Sequence, residues 1–262
     1  MLRSEFDDYE QNGIYEPLQE YHVDNAIILA AGMCSRFKPL SDKMPKAFLK
    51  VKGEIMIERM IRQLIEAEIP DIYVVVGHQK EAFFYLQEKY QVHLIDNPDY
   101  ATHNNLSSLY AVRQYLGNSY ICSSDLYCME NIFKPYVYES YYAGTYCSGT
   151  TDKPCVATGF NDRINYIEEG GSNSWYLTGP AYWDSRFSSQ FVKFMEAEYH
   201  HPDSVNDSWE AFYRKHLDVL TLTLRKYPEG MIREFNSLDE LCLFDTSYIP
   251  YRDSLMHDSE ES

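Results

Sequence analysis

The chain has 262 residues, of which 40 are acidic and 23 are basic, so its formal net charge is -17 at pH 7. Such a surface repels polynucleotide backbones and anionic membranes, which argues against a nucleic-acid partner. The length suits one large α/β domain with a substantial core. We expect one domain at 25–248, between an acidic N-terminal extension at 1–24 and an acidic C-terminal tail at 249–262.

Targeting and redox signals point to a soluble, cytoplasmic protein. No apolar run approaches the ~20 residues that span a bilayer, and the acidic N-terminus does not resemble a signal peptide. The six cysteines form no CxxC pair and have no metal-type spacing, so we expect reduced thiols.

The first half alternates apolar strand patterns with amphipathic helical patterns. Strands are predicted at 26–29, 72–76, 92–95 and 120–122. Helices are predicted between them at about 56–68, 79–90 and 104–116. This βαβ order predicts a mainly parallel sheet with right-handed crossovers.

The second half is rich in aromatic residues and turn signals. Strands are predicted at 137–147, 154–160, 163–168 and 175–183. They are followed by predicted helices at 186–199 and 206–215 and a strand at 218–224. Ser237 and Glu240 match a capping box, which predicts a last short helix.

A loop with glycine and two basic residues follows the first predicted strand. The small residues Ala30, Ala31 and Gly32 let backbone N–H groups approach a phosphate or a base at the sheet edge where α/β proteins bind ligands. Arg36 and Lys46 supply the positive charge that a triphosphate requires. An ordinary strand-to-helix turn is the alternative. Neither GxxxxGK[ST] nor GxGxxG occurs, which argues against a P-loop kinase and an NAD enzyme.

Carboxylates and amides are predicted near the same edge. Asp125 follows the fourth strand, where it could hold Mg²⁺ against a triphosphate or simply end the strand. Glu210 is a candidate second carboxylate in the first turn of a predicted helix, with Asp207 as its competitor. The segment 104–108 offers two amides and two hydroxyls at a helix N-terminus, which suits nucleotide recognition.

These residues resemble a known family. The chain is similar to the nucleotidyltransferases that activate phosphorylated compounds with NTP at Leu29-Ala-Ala-Gly32, Ser35-Arg36, Pro39-Leu40, Pro45-Lys46 and Gly53. It resembles the bacterial CTP:phosphocholine cytidylyltransferases at Val76-Gly77, Asn104-Asn105, Ser108-Leu-Tyr110, Ser124-Asp125, Gly179, Tyr182-Trp183-Asp184 and Trp209-Glu210. The resemblance covers residues 25–248.

The resemblance implies a three-layer Rossmann-like α/β fold with a mixed, mainly parallel central sheet and an aromatic-rich β insertion in the second half. It also implies Mg²⁺-dependent transfer in which phosphocholine attacks the α-phosphorus of CTP, giving CDP-choline and pyrophosphate. Phosphoethanolamine or an aminophosphonate is an alternative acceptor, and a sugar-1-phosphate nucleotidyltransferase is a rival. A nucleotide-binding regulatory module without catalysis is the hypothesis from a different class. The resemblance leaves open whether the nucleotide is CTP or UTP and whether the protein forms a homodimer.

Roles for individual residues follow from the resemblance. The catalytic residues would be Arg36, Lys46 and Asp125. The nucleotide would be bound by Leu29, Ala30, Ala31, Gly32, Ser35, Arg36, Lys46, Gly77, Asn104, Asn105 and Ser108. The acceptor would meet Tyr127, Trp175, Tyr182 and Trp183, by cation–π attraction to an ammonium group. The metal would be held by Asp125 and Glu210. Two departures are Cys34, where the family usually has a small residue, and segment 150–155, which lacks an expected tryptophan.

Overall fold

The computed structural model describes residues 1–33, 37 and 40–260. Its first half contains α1 (Arg3–Gln11), β1 (Asn25–Leu29), α2 (Leu40–Lys43), β2 (Lys50–Val51), β3 (Glu54–Ile55), α3 (Met56–Glu66), β4 (Asp71–Val76), α4 (Tyr85–Tyr90), β5 (His93–Asp96), α5 (Leu106–Val112), β6 (Ser119–Ser123) and β7 (Leu126–Cys128). The second half contains β8 (Tyr141–Thr158), β9 (Ile164–Trp183), α6 (Ser185–Glu198), α7 (Trp209–Lys215), β10 (Thr223–Tyr227), β11 (Ile232–Glu234), α8 (Leu238–Phe244) and α9 (Ile249–Glu260). Short 3₁₀ helices occur at Glu16–Tyr21, Lys46–Phe48, Lys80–Phe83, Arg113–Tyr115, Phe160–Asp162, Pro202–Ser204 and Thr246–Tyr248.

Within the described residues, the main sheet has seven strands in the order β10-β8-β9-β6-β1-β4-β5. Strands β6, β1, β4 and β5 run parallel to one another, and β10 runs parallel to β8. Strand β9 runs antiparallel to both β6 and β8. All five residues of β1 are buried, as expected for a central strand covered on both faces. The predicted mixed, mainly parallel α/β sheet is confirmed.

Helices cover both faces of the sheet. On one face, α3 contributes Ile57, Ile61 and Leu64 to a core with β1 and β4. On the other face, α5, α6 and α7 pack Leu109, Phe191 and Phe212 into a second core. These layers hold the parallel strands in register, so the loops at their carboxyl ends meet at one edge.

The second half differs from its predicted boundaries. The four short strands predicted after residue 135 are two long antiparallel strands, β8 and β9, with several register shifts between them. Gly170, predicted to form a turn, lies inside β9 with φ +73, because a bulge also needs the conformation that glycine allows. The strand predicted at 218–224 begins only at Thr223.

The chain termini pack on or follow the domain. In the N-terminal extension, Phe6 and Leu18 are buried, and Phe6 contacts the rings of Tyr21 and Tyr138. Near the C-terminus, Ser237 caps α8 by accepting a hydrogen bond from the Glu240 amide, as the sequence predicted. In the part of the chain that the structure describes, no helix is both long and apolar enough to cross a bilayer.

Candidate active site

A cleft of about 580 Å³ opens at the carboxyl ends of β1, β5 and β6. The ends of β1 and β6 are adjacent, since Leu29 and Ser123 are register partners and the Ser124 amide donates to the Leu29 carbonyl at 3.1 Å. The cleft is lined by several residues that the sequence singled out, namely Leu29, Ala31, Gly32, Lys46, Asn104, Asn105, Ser108 and Asp125. The sheet edge predicted for ligand binding therefore carries a cavity of suitable size for a nucleotide.

A lysine and an aspartate form an ion pair in the cleft wall. Lys46 Nζ lies 2.7 Å from Asp125 Oδ2, with side-chain exposures of 7% and 18%. The Ser123 hydroxyl donates to Asp125 Oδ1 at 2.6 Å, and the Lys46 ammonium lies 4.7 Å from the ring centroid of Phe37. Burial opposes ionisation of Asp125, but the Lys46 charge and these hydrogen bonds hold its pKa below the ordinary carboxyl range. The Asp125 carboxylate is thus ionised at neutral pH.

Three residues of the predicted phosphate loop lie outside the described residues. They are Cys34, Ser35 and Arg36. The roles of Ser35 and Arg36 remain predictions. Lys46 is the predicted phosphate cation that the structure places, at the start of the 3₁₀ helix Lys46–Phe48.

Ala30 and Gly77 shape the cleft from behind its wall. Ala30 is buried, and its amide donates to the Val75 carbonyl at 2.9 Å, which joins the loop to β4. A Cβ atom added to Gly77 would lie 2.6 Å from Tyr100 Cβ. Because Tyr100 lines the cleft, glycine at position 77 is what allows this part of the wall to form.

The amides of the 104–108 segment hold the cleft together. Asn104 Nδ2 donates to the Asn206 carbonyl at 3.1 Å, and Asn105 Oδ1 accepts from the Trp209 amide at 2.8 Å. The Ser108 hydroxyl accepts from Asn97 Nδ2 at 3.1 Å. Asn97 is 1% exposed, lines the cleft and was missed in the sequence, where it follows β5 in a turn. These side chains therefore use much of their hydrogen-bonding capacity to hold α5 and α7 in place.

Glu210 lies in a second cavity beside the cleft. This cavity has a volume of about 320 Å³. Asn105 lines both this cavity and the cleft. Tyr142 Oη donates to Glu210 Oε1 at 3.4 Å, and Asn105 Nδ2 donates to Oε2 at 3.5 Å, so both hydrogen bonds are long. Burial, reinforced by the negative charge of Glu234, raises the pKa of Glu210. Glu210 is a half-buried carboxyl group with capacity for a stronger hydrogen-bond donor.

Glu234 connects the two cavities and was not predicted. It lines both of them, and across the β7–β11 ladder it is paired with Leu126, the residue that follows Asp125. Lys153 Nζ lies 3.0 Å from Glu234 Oε2. The sequence provides little indication of this strand, because β11 has only three residues. The one available signal for Glu234 was an acidic residue shortly before the helix cap at Ser237.

Comparisons with known proteins agree with this geometry. A family model described as a MobA-like NTP transferase domain matches residues 26–133. The 2-aminoethylphosphonate cytidylyltransferase of Lancefieldella rimae is 35% identical over 229 residues, which cover 86% of this chain and 93% of that protein. The chain belongs to this nucleotidyltransferase family.

A solved relative supports the same assignment. The choline-phosphate cytidylyltransferase of Streptococcus pneumoniae is 32% identical over 215 residues, covering 82% of this nucleotidyltransferase and 94% of that protein. The structure of the CTP:phosphocholine cytidylyltransferase from the same organism aligns with a TM-score of 0.80, covering 84% of this chain and 96% of that one. The predicted resemblance to this family is confirmed.

The four aromatic residues predicted to meet the acceptor do not line either cavity among the described residues. Tyr182 and Trp183 are completely buried, and they pair with Tyr120 and Ser119 at the start of β6, away from the cleft. Tyr182 also packs edge-on against the Tyr120 ring. Core packing therefore explains both residues better than a role in acceptor binding.

Two further predicted acceptor residues, Trp175 and Tyr127, make packing contacts outside the two cavities of this nucleotidyltransferase. The Trp175 ring contacts Tyr146 and the Lys226 ammonium, whereas Tyr127 is 5% exposed and packs on Phe244. The aromatic residue that does line the second cavity is Tyr142, which stacks on the buried Trp209 at 5.0 Å. Sequence spacing could not distinguish a core face from a pocket wall on a long bulged strand.

Proposed function

We propose that this nucleotidyltransferase transfers a cytidylyl group from CTP to a small phosphonate or phosphate that carries a primary ammonium group, with 2-aminoethylphosphonate as the first choice. An oxygen of the acceptor would attack the α-phosphorus while the bond to the β-phosphate breaks, releasing pyrophosphate. The acceptor oxygen is already anionic, so the reaction needs placement and charge neutralisation more than a general base.

Lys46 is the residue we assign to charge neutralisation in the cleft. Its ammonium is almost buried and already balances the Asp125 carboxylate, so it is available as fixed positive charge once the phosphates and their counter-ion enter. Ser123 holds the other Asp125 oxygen and orients the carboxylate. Arg36 would add a second positive charge, as the family resemblance implies.

The donor chemistry of the cleft fits Mg²⁺. This ion prefers one or two carboxylates with phosphate oxygens and water, and Asp125 and Glu234 supply two carboxylates to the lining of the cleft. Asp125 contacts Lys46 and Glu234 contacts Lys153, so each carboxylate already lies against one cation. We assign the metal to Asp125 and Glu234, where it would offset the negative charge of the phosphates. Glu210, the sequence-based candidate, lines only the neighbouring cavity.

The second cavity carries the proposal for the acceptor. Glu210 and Tyr142 present a carboxylate and a hydroxyl that make only long mutual hydrogen bonds. A primary ammonium has three N–H donors that can satisfy such oxygens, whereas a quaternary ammonium has none. The relative with an aminophosphonate acceptor in its name supports this choice.

Phosphocholine is the second candidate. Two observations favour it: the likeness to the pneumococcal enzyme and the Tyr142 ring in the cavity wall, which could face a quaternary ammonium. The polar character of the Glu210 environment is the reason we place it second.

The test compares acceptors and then removes one carboxylate. The protein is incubated with CTP or UTP and with 2-aminoethylphosphonate, phosphoethanolamine, phosphocholine or glucose 1-phosphate. Pyrophosphate release gives kcat/KM, and mass spectrometry identifies the product. We expect CTP with 2-aminoethylphosphonate to give the highest kcat/KM. A higher value with phosphocholine would reject the primary-ammonium assignment, and turnover restricted to glucose 1-phosphate would reject the acceptor class.

The matched variants are Glu210→Gln and Glu169→Gln, since both carboxylates line the acceptor cavity. Glu169 is already paired with Arg214 at 3.2 Å and is largely exposed. Glu210→Gln should lower kcat/KM for the aminophosphonate by about 10-fold or more, because a charged hydrogen bond is lost. Glu169→Gln should change it less than about threefold. Equal effects would remove Glu210 from the acceptor site.

A further inference from the structure

A separate cavity lies at the opposite edge of the sheet from the cleft. It has a volume of about 390 Å³ and lies between α1, the segment before β8, and β10. Tyr141, in its wall, pairs with Tyr182 of β9, and Tyr182 pairs with Tyr120 at the amino end of β6. The volume is within the range of about 300–1,000 Å³ that ligand pockets show. The nucleotide reaction proposed above makes no use of this cavity.

The charges around this cavity are paired, with one exception among the described residues. Arg3 contacts Asp7 and Glu139, Lys134 contacts Glu10, and Lys226 contacts Asp162, all at 3.3 Å or less. Arg225 also lines the cavity but has no carboxylate partner in the described chain. Its guanidinium instead lies 4.7 Å from the ring centroid of Tyr141. Arg225 is therefore the one basic residue of this wall that, among the described residues, has no carboxylate to balance its charge.

Tyr141 provides a second, independent observation. It lines the same cavity and is 2% exposed, and among the described residues its hydroxyl has no hydrogen-bond partner. A buried hydroxyl without a partner costs about 1–3 kcal/mol, so such groups usually have a function or a ligand. Burial raises the pKa of Tyr141 well above its ordinary value, so the hydroxyl is a donor at neutral pH.

We propose that this cavity binds a small molecule through a phosphate or carboxylate group, with Arg225 as the ionic partner and the Tyr141 hydroxyl as a hydrogen-bond donor. The planar guanidinium presents paired N–H groups that match two oxygens of either anion. Each of the four carboxylates in the wall contacts Arg3, Lys134 or Lys226, and among the described residues none of them pairs with Arg225. The Arg225 charge can therefore serve an anion despite the net charge of the chain. The aromatic rings of Phe6, Tyr136 and Tyr138 would contact the body of the ligand.

Equilibrium dialysis with radiolabelled inorganic phosphate tests the site directly at constant ionic strength. Phosphate also has affinity for a triphosphate cleft, so binding is measured in a Lys46→Met background. We expect one phosphate to remain bound per chain in that background. Adding Arg225→Gln should weaken binding by about 10-fold or more, and adding Tyr141→Phe by about 2- to 10-fold. Competition by acetate then distinguishes a carboxylate site from one selective for phosphate, and either outcome supports the shared oxyanion chemistry.

The control variant is Lys226→Gln, which lines the same cavity but removes a lysine that is already paired with Asp162. It should change phosphate affinity less than about threefold. Circular dichroism and urea unfolding verify that each variant is folded. Loss of all phosphate binding in Lys46→Met alone, or equal affinity in folded Arg225→Gln, would overturn the proposal. Neither result depends on turnover, so the proposed reaction stands or falls separately.

Discussion

Asp125→Asn tests the cleft through both activity and stability. The substitution keeps the side-chain shape but removes the charge that lies 2.7 Å from Lys46 Nζ. At an effective dielectric constant of about 20 this attraction is ~6 kcal/mol before the cost of removing both groups from water. Loss of one partner of a fully buried pair costs about 3–5 kcal/mol. Since Asp125 is 18% exposed and asparagine still accepts a hydrogen bond, we expect a loss of about 2–3 kcal/mol.

The effect on turnover should be larger than the effect on folding. Removal of a preorganised charge from a reaction site lowers kcat by about 100- to 1,000-fold, and we expect Asp125→Asn to fall in this range in the pyrophosphate assay. Combining it with Lys46→Met should restore part of the stability, since no unpaired charge remains, but no activity. Asp245→Asn is the control, because Asp245 accepts a hydrogen bond from the Lys52 amide at 2.6 Å and does not line the cleft. Turnover of Asp125→Asn within threefold of the parent enzyme would refute the reasoning.

The pH dependence of stability provides a further test of this pair. The folded-state pKa of Asp125 is below its unfolded value of about 3.9, so the ionised carboxylate stabilises the protein above about pH 4. That contribution is lost as the pH falls through the folded-state pKa. Urea unfolding should therefore show a difference between parent and Asp125→Asn that is constant from pH 7 to about 5 and decreases below about pH 4. A difference that grows on acidification would contradict the assigned direction.

Three other predictions concern the remaining carboxylates and the core. Glu234→Gln should lower kcat about 10-fold more than Glu210→Gln does, and it should raise the Mg²⁺ concentration that gives half the maximal rate. Glu210→Gln should act mainly on the acceptor KM. The reverse pattern would identify Glu210, not Glu234, as the metal ligand. Trp183→Ala should lower the free energy of unfolding by about 3–5 kcal/mol, with little change in acceptor KM at a temperature where it is folded, because the ring is fully buried. Glu58 accepts hydrogen bonds from Lys89 and two tyrosines, which hold its pKa low against the effect of burial. Glu58→Gln should cost about 1–3 kcal/mol at pH 7, measured by urea unfolding, and progressively less below about pH 4, whereas a constant cost would show that the charge is not involved.

Local sequence pattern predicted the first half of the fold closely. Strand β1, its loop and Asp125 were identified because a buried parallel strand has a continuous apolar run and ligands meet its carboxyl end. The second half was predicted less well. Strands β8 and β9 exchange partners through bulges, and a bulge resembles a turn in sequence because both use glycine and polar residues.

Site residues that are defined by neighbours in the chain were predicted, whereas those placed by contacts with distant segments were missed. A local pattern could identify Gly32, Lys46 and Asp125, because they follow strands or lie within one loop. Arg36 lies outside the described residues. Glu234 could not be identified in this way, because it reaches the cleft only through pairing with a strand more than a hundred residues earlier. Asn97 was missed for a similar reason, since its importance lies in the two serines that its amide holds.

The amino-acid sequence by itself determined the class of the protein: a mainly parallel α/β sheet with a glycine-containing loop, a lysine and an aspartate at its ligand-binding edge. Those features depend on neighbours in the chain, and hydrophobic periodicity and residue chemistry are visible locally. Only the tertiary structure decided that Trp183 is a core residue, that Glu210 and Tyr142 share a cavity, and that Glu234 lines the same cleft as Asp125. The physical reason is that burial and ion pairing are set by contacts between distant segments, so identical residue types can form a core or a binding site.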